Sequence, residues 1–316
     1  MSKSGSQSPL RRGALVEVRP LHEIALTLDG NGSLDGLPFM PEMAQFCGQR
    51  FRVFHHVIQA VIDTAFLRPK YTESFVREFK HDDVVVLEEV RCCGVAHDGC
   101  GRGCLVFWKE AWLRPVDKGS TPGPAASNGA DALLSSLKTQ AAAGTYYCQS
   151  SEILKATSHL GGWQRLGKWW RGIQIGNYSP LAMIKQTFVW CRSRVLRRVF
   201  GPWPRGTRDS TPCEELGLMP GDCVEVKPLA AILETLDKNG RNRGLHFSAD
   251  MGLLCGKQFR VRRRADQWIA EGTGQMRKMR NTVILEGATC DSAYYAFGGC
   301  PRSDYQYWRE IWLKKL

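Results

Sequence analysis

The chain has 316 residues, of which 43% are hydrophobic, and it carries a formal net charge of +12 at pH 7. This length is typical of roughly two domains. No run approaches the roughly 18 apolar residues of a spanning helix, so we expect a protein that does not cross a membrane. The first 13 residues, MSKSGSQSPLRRG, contain no apolar core and predict no signal peptide. The twelve cysteines are therefore expected to be reduced thiols in a cytoplasm.

The chain contains two copies of one sequence. After residues 1–12, whose composition predicts a disordered tail, residues 13–53 match residues 221–261 without a gap and with 21 of 41 positions identical. Each copy continues through VVVLEE or TVILEG, a Cys-bearing loop, and a closing WKEAWL or WREIWL. Self-similarity of this kind predicts a duplicated domain. We place the two repeats at 13–116 and 214–316.

Each repeat is predicted to be a small β structure. Short runs of alternating apolar and polar residues are separated by Gly, Asn and Asp, a pattern typical of short strands joined by turns. Several such strands in about 100 residues favour a barrel. The predicted fold class is therefore mainly β with an α insert: two tandem SH3-like small barrels of about five strands each, joined by a partly helical basic insert.

The loop of the first repeat, RCCGVAHDGCGRGC, is rich in residue types that bind metals. The candidate ligands are Cys92, Cys93, His97, Cys100 and Cys104. Thiolates and an imidazole this close together, among glycines that let the backbone curl, can surround one tetrahedral ion, and zinc is the expected occupant. An iron–sulfur cluster would use the same ligand types. Because the spacing matches no standard zinc motif, a loop with incidental thiols is the other interpretation.

The second repeat lacks two of these ligand types. Cys290 and Cys300 align with the first and fourth candidate ligands, but Phe297 and Asp304 stand where the first loop has its histidine and its last cysteine. Two cysteines alone make a poor metal site. We therefore expect the second loop to be held by packing.

Residues 117–145 are rich in Pro, Gly, Ser and Ala and predict a flexible linker. Residues 146–213 form the basic insert, which has eleven Lys and Arg against two acidic residues between positions 146 and 210. Its last part, LAMIKQTFVWCRSRVLRRVF, has a helical period that places five apolar residues on one face. These residues are Leu181, Ile184, Phe188, Val195 and Val199.

The insert also supplies candidate residues for membrane or anion binding. They are Trp163, Arg165, Lys168, Trp169, Trp170, Arg171, Arg192, Arg194, Arg197 and Arg198. Indole rings beside cations suit the interface of an anionic bilayer. The same residues could hold a nucleic-acid backbone, which we consider the less favoured partner because the rings are bulky indoles beside an amphipathic helix. A third interpretation has the apolar face packed between the two barrels.

The closing phrases VFWKEAWL and YWREIWL, together with LDGLPFMPEM and GQMRKMRN, resemble those of a family of uncharacterised bacterial proteins with duplicated Cys-containing repeats. The resemblance covers both repeats and brings no assigned activity. It implies one further Cys after the FRV strand and another after the MRK phrase. Ile62 or a neighbour, and Thr282 or Val283, stand in those places here.

The sequence indicates a binding role rather than catalysis. No G-x-S-x-G nucleophile context and no phosphate-binding G-x-x-x-x-G-K-[ST] loop is present. We therefore expect a cytoplasmic, zinc-binding scaffold protein with an unknown protein partner, held at the inner membrane surface through the basic insert. The alternatives are a redox or metalloenzyme accessory protein with an iron–sulfur cluster, and a nucleic-acid-binding protein.

Overall fold

The computed structural model describes residues 10–62, 76–116, 134–200, 204–290 and 301–316. Most of the predicted tail and the predicted linker up to residue 133 lie outside the described residues. Within the described ranges the chain is mainly β, with two separate curled sheets and a few helices. The mainly β fold class predicted from the repeats is confirmed at this level.

The first repeat contains one five-stranded antiparallel sheet. Its elements are β1 (Leu15–Val18), α1 (Leu21–Ala25), β2 (Ser33–Leu34), β3 (Leu37–Pro38), β4 (Arg50–His56), β5 (Ala60–Val61), β6 (Val76–Phe79), β7 (Val84–Arg91), β8 (Leu105–Lys109) and β9 (Leu113–Pro115). The strand order is β8-β7-β4-β1-β9. A short 3-10 helix, Glu110–Trp112, lies between β8 and β9 in the sequence.

The middle of the chain is helical with short strands. Its elements are β10 (Gln140–Ala142), β11 (Thr145–Tyr146), α2 (Gln149–Ala156), β12 (Thr157–His159), α3 (Gly162–Gln174) and α4 (Pro180–Phe200). Strand β12 pairs with β6. The helix predicted from the apolar period is α4, and it begins at Pro180, where the missing N–H of proline costs no helical hydrogen bond.

The second repeat follows the first element by element. It contains β13 (Cys223–Val226), α5 (Leu229–Leu233), β14 (Arg241–Asn242), β15 (Leu245–His246), β16 (Gln258–Arg264), β17 (Gln267–Ile269), β18 (Met276–Lys278), β19 (Thr282–Thr289), β20 (Tyr305–Arg309) and β21 (Leu313–Lys315). The order β20-β19-β16-β13-β21 repeats that of the first sheet.

Both sheets are curled at the same place. The register of β7 against β8 shifts between Val86 and Arg91, and that of β19 against β20 shifts between Ile284 and Thr289. A residue with positive φ lies in each shift, Glu89 at 60° in the first repeat and a glycine at the matching place in the second. Such bulges bend a strand and increase its twist, which closes a short sheet toward a barrel.

The two cores are packed alike. In each repeat one phenylalanine meets two buried tryptophans edge-on; the rings are Phe39, Trp108 and Trp112, and Phe247, Trp308 and Trp312. Trp112 donates its Nε1–H to Thr27 Oγ1 at 3.0 Å, and Trp312 repeats this bond to Thr235 at 3.0 Å. The indoles of Trp112 and Trp312 can be fully buried because their one polar group is satisfied. The Nε1 atoms of Trp108 and Trp308 have no hydrogen-bond partner among the described residues.

The chain divides into two compact units that do not follow the sequence repeats completely. The first unit comprises residues 1–92, 105–183 and 270–275, and the second comprises residues 93–104, 184–269 and 276–316. The cysteine loop of the first repeat therefore belongs to the second unit.

Candidate functional site

The cysteine loop is tightly curled. Gly94 has a φ of 76° and precedes a 3-10 turn, Val95–His97, after which Asp98 also has positive φ. The N–H groups of His97 and Gly99 both donate to Gly94 O, at 3.1 and 3.0 Å. A Cβ at position 94 would lie 2.2 Å from the carbonyl oxygen of Cys100, so only glycine allows this approach.

The loop buries His97 and Cys100, whereas the side chain of Cys93 is exposed. The sulfur of Cys100 accepts a hydrogen bond from the backbone N–H of Ile269 at 3.4 Å. Cys92 belongs to the first compact unit, and its Sγ lies 3.9 Å from Glu42 Oε1. The five candidate ligands are therefore in different environments.

Cys104 lies beside a buried ionic cluster. Burial raises the pKa of Cys104 to about 12, which keeps the thiol protonated at neutral pH. The neighbouring Asp304 is approached by Arg302 at 3.1 Å and by Arg102 at 3.7 Å. Within the ranges that the structure describes, no three His, Cys, Asp or Glu side chains are grouped closely enough to hold a metal ion. The zinc and iron–sulfur interpretations of the loop stay predictions.

Two of the candidate cations on α3 have acidic partners. Lys168 Nζ lies 2.9 Å from Glu78 Oε2, and Arg171 Nη2 lies 2.8 Å from Asp82 Oδ2. Trp163 and Trp170 are exposed, at 87% and 57%. Helix α3 thus uses these two cations to attach to the first repeat and presents two indoles to solvent.

The apolar face of α4 points outward. Leu181, Ile184, Phe188, Val195 and Val199 are between 60% and 77% exposed. At about 100° per residue these five positions fall within an arc of about 60°. The opposite face contains the buried residues Met183 and Ser193. We call the five exposed residues the apolar stripe.

Cations lie on both sides of the apolar stripe. Helical spacing places Lys185 and Arg192 along one edge and Arg198 along the other, with Arg194 about 80° beyond that second edge. All four are exposed, and the guanidinium of Arg194 lies 5.2 Å from the ring centre of Trp190. Arg165 is partly buried and donates to Leu160 O at 3.4 Å. The side chains of Trp169 and Arg197 lie outside the described part of the chain.

A site that the sequence analysis did not single out involves the last residue of β8 and of β20. In the first repeat, buried Lys109 donates to Asp35 at 2.7 Å and to Asp83 at 2.9 Å. The repeat alignment matches these three residues with Arg309, Arg243 and Asn281. The backbone confirms the match, because Glu110 N donates to Asp83 O and Glu310 N donates to Asn281 O.

In the second repeat the corresponding residues line a small pocket, which we call the Cys213 pocket. Its lining comprises Cys213, Glu214, Asn242, Arg243, Arg280, Asn281, Arg309 and Ile311. The sulfur of Cys213 accepts hydrogen bonds from Arg243 Nη1 at 2.6 Å and from Asn281 Nδ2 at 3.0 Å. The replacement of two aspartates between the repeats was visible in the sequence, but only the structure shows that they surround one buried cation.

No protein-family model matches the chain, and no curated protein matches it. Among the described residues, no helix combines the length and hydrophobicity needed to span a bilayer. The class that the fold defines is a protein of two tandem β half-barrel domains.

Proposed function

We propose that this chain is a peripheral binding protein that docks on an anionic lipid surface, such as the inner membrane surface, through the apolar stripe of α4. The observation that carries the proposal is the exposure of five large apolar side chains along one face of α4, whereas the side chains that α4 buries among the described residues are those of Met183 and Ser193. A helix that only packs on its own domain shows the opposite arrangement.

The chemistry of the stripe favours a bilayer. Full burial of one Leu, Ile, Val or Phe side chain contributes about 1.5–3 kcal/mol, and each cation near an anionic surface contributes about 1 kcal/mol. Lys185, Arg192, Arg194 and Arg198 would lie at headgroup depth while the stripe enters the acyl boundary. The exposed indoles of Trp163 and Trp170 on α3 are of the residue type that is enriched at bilayer interfaces.

The flanking charges argue against two other occupants. A second copy docked through the same stripe would bring the cations on the edges of both helices together, and like charges at that distance repel. A nucleic-acid backbone would attract the cations but would give Leu181, Ile184 and Phe188 no apolar environment.

The two β domains would supply the scaffold, and we infer that they are SH3-like. The order of the five main strands and the 3-10 helix before the last strand, Glu110–Trp112 or Glu310–Trp312, support this assignment. Small barrels of this kind host many unrelated functions, so the fold alone names no partner.

Vesicle flotation with the full chain tests the proposal. We expect binding to vesicles of phosphatidylcholine with phosphatidylglycerol, and little binding to phosphatidylcholine alone. The double variant Ile184→Gln/Phe188→Gln should lower the bound fraction at least tenfold, because it removes two large apolar contacts. Raising NaCl from about 0.1 M to about 0.5 M should weaken binding, since salt screens the exposed cations.

Leu26→Gln is the matched control, because Leu26 is also exposed but belongs to the first repeat and not to α4. It should leave flotation unchanged. Circular dichroism verifies that the variants are folded. Equal binding by the wild type and the stripe variant would refute the proposal, and so would a wild-type dimer that the stripe variant converts to a monomer without any vesicle binding.

Metal binding by the cysteine loop is a second proposal, supported by the burial of His97 and Cys100 within one curled loop. Elemental analysis of anaerobically purified protein tests it. About one zinc ion per chain, lost in Cys100→Ser but kept in Cys300→Ser, is the expected result. Visible absorption would indicate an iron–sulfur cluster instead, and a metal-free wild type would remove both.

A further inference from the structure

We propose that the hairpin β14–β15 and the outer edge of β20 in the second repeat form a docking surface for a short acidic helix of a protein partner. The first repeat covers the matching surface with the chain's own helix α2, whereas the hairpin of the second repeat is exposed there. The proposal does not depend on lipid binding by α4.

In the first repeat, the side-chain amide of Gln149 pairs with the outer edge of β8. Gln149 is buried at the start of α2; its Oε1 accepts from Phe107 N at 2.9 Å and its Nε2 donates to Phe107 O at 2.8 Å. A residue of a neighbouring antiparallel strand makes the same two bonds. A carboxamide can replace it because it carries both a donor and an acceptor. Helix α2 therefore covers this sheet edge as a further strand would.

The same segment covers the hairpin β2–β3. The hydroxyl groups of Tyr147 and Ser33 lie 2.6 Å apart in a buried hydrogen bond. At Gly36 a Cβ would lie 3.2 Å from the carbonyl oxygen of Lys155, near the end of α2. Ser33 and its cross-strand partner Pro38 are buried as a result.

The second repeat has the same hairpin without this cover. Arg241 and His246 are the matching cross-strand pair, and both are exposed. Gly244, which aligns with Gly36, is exposed as well, and a Cβ built on it would meet no atom within 4 Å. A helix that lies over this turn in the first repeat thus has no counterpart over the turn of the second.

The outer edge of β20 also differs. Tyr307 pairs with Ile284 in the register in which Phe107 pairs with Val86, so its N–H and C=O point away from β19 as those of Phe107 point away from β7. Within the ranges that the structure describes, neither group of Tyr307 has a hydrogen-bond partner outside its sheet. Unpaired groups on an edge strand are a template for a partner chain.

The charges of the hairpin select the partner. Arg241 and Arg243 stand where the first hairpin has a serine and an aspartate, and both are exposed. Arg243 donates to Cys213 Sγ, and within the described part of the chain neither arginine forms a salt bridge. Helix α2 carries a cation, Lys155, at the end that lies over the first hairpin. A helix with carboxylates at that end would complement the second hairpin instead.

A peptide derived from α2 tests the proposal. The probe is residues 145–156 of this chain, synthesised with Cys148→Ser, Lys155→Glu and a fluorescent label, and anisotropy with the full chain measures its binding. We expect a dissociation constant below about 1 mM. The same peptide with Gln149→Ala should bind at least tenfold more weakly, because the edge of β20 then finds no carboxamide. The peptide that keeps Lys155 should bind at least threefold more weakly, since a cation then meets the two arginines.

Gly244→Asn is the blocking variant of the protein. Asparagine tolerates a left-handed backbone, and its side chain would occupy the place of the docked helix, so the peptide should bind at least tenfold more weakly. Gly256→Asn is the matched control, because its φ of 74° is close to the 82° of Gly244 and a new Cβ there also meets no atom within 4 Å. It should leave the affinity unchanged. Circular dichroism verifies that both variants are folded.

Three results would overturn the proposal. The first is equal affinity of the two asparagine variants for the peptide, and the second is a Gln149→Ala peptide that binds as well as its parent. The third is tighter binding of a labelled oligothymidylate than of the peptide, abolished by Gly244→Asn, which would assign the surface to nucleic acid. A wild-type dimer that Gly244→Asn converts to a monomer, without any peptide binding, would likewise replace the partner helix by a second copy of the chain.

Discussion

Lys109 and Arg309 occupy the same position in the two repeats, at the end of β8 and of β20, but within the described part of the chain only Lys109 is surrounded by carboxylates. The two repeats therefore share a backbone and differ in the charge they place beside one buried cation. The second repeat keeps the same strand order with Arg243 and Asn281 in place of the two aspartates.

The first prediction concerns the stability that Lys109 supplies. Lys109→Ala should lower the free energy of unfolding by about 2–3 kcal/mol, because it leaves Asp35 and Asp83 close together without their cation. This loss of unfolding free energy lies at or below the usual loss when one partner of a buried ion pair is removed, since both aspartates are about one-third exposed and can rehydrate. Urea unfolding followed by tryptophan fluorescence measures the change.

Lys238→Ala is the control for this variant. Lys238 also pairs with an aspartate, Asp209, but both side chains are mostly exposed, at 71% and 89%. An exposed pair contributes little to stability. A loss of stability in Lys238→Ala equal to that in Lys109→Ala would contradict the explanation.

Much of the fold was predictable because it depends on local patterns. Alternating apolar residues, turn residues and the match between 13–53 and 221–261 were enough to predict two small β domains. The helical period of α4 was also visible in the sequence, but the side toward which its apolar face points was not. Whether Phe188 faces the protein or solvent depends on what surrounds the helix, and the spacing of apolar residues within the helix does not record this.

The candidate sites were less predictable for a related reason. The spacing of Cys92, Cys93, His97, Cys100 and Cys104 suggested one cluster, whereas the structure gives these side chains different environments. The Cys213 pocket combines residues up to 98 positions apart in the chain, from Cys213 to Ile311. No local motif can show such a set; only a residue-by-residue comparison of the repeats within a known fold does.

The second prediction concerns His55 and mildly acidic pH. Burial and the charge of Arg12 lower the pKa of His55 to about 4, so the folded protein holds this ring neutral. The unfolded chain binds a proton near pH 6.5. The contribution of His55 to stability is therefore complete above about pH 6.5 and is lost as pH falls toward 4, by about 3 kcal/mol.

His55→Phe should remove this part of the pH dependence, since a phenyl ring fits beside Phe54 and Tyr178 without titrating. Unfolding free energies measured at pH 7.5, 6, 5 and 4.5 check the result. The control is His159→Phe, because His159 is exposed. If the His55→Phe protein loses as much stability between pH 7.5 and 4.5 as the wild type, the ring is not the titrating group.

The third prediction concerns the attachment of α3 through Asp82. A hydrogen bond from His56, followed by the charges of His56, Lys168 and Arg171, lowers the pKa of Asp82. A lowered carboxylate pKa contributes stability that is present above the unfolded value of about 3.9 and is lost as pH falls below it. Asp82→Asn should therefore destabilise the protein at pH 7, with a difference from the wild type that shrinks below about pH 4.

Urea unfolding at pH 7 and at pH 3 measures both differences. Asp209→Asn serves as the control, because Asp209 is almost fully exposed and its ion pair is screened by solvent. A difference between Asp82→Asn and the wild type that stays constant from pH 7 to pH 3 would show that the carboxylate charge is not the cause.

The last prediction separates backbone conformation from close packing in the cysteine loop. Gly94 and Gly99 have nearly the same φ, 76° and 72°, so alanine at either position has the cost of a left-handed backbone, about 1–2 kcal/mol. At position 99 the nearest atom to a new Cβ is 3.6 Å away, whereas at position 94 the carbonyl oxygen of Cys100 is 2.2 Å away.

Gly94→Ala should therefore open the loop and speed the reaction of Cys100 with a thiol reagent at least tenfold, while Gly99→Ala should change that rate little. Peptide mass spectrometry after short exposures to iodoacetamide gives both rates. Equal rates in the two variants would mean that the approach of Gly94 to Cys100 does not hold the loop closed.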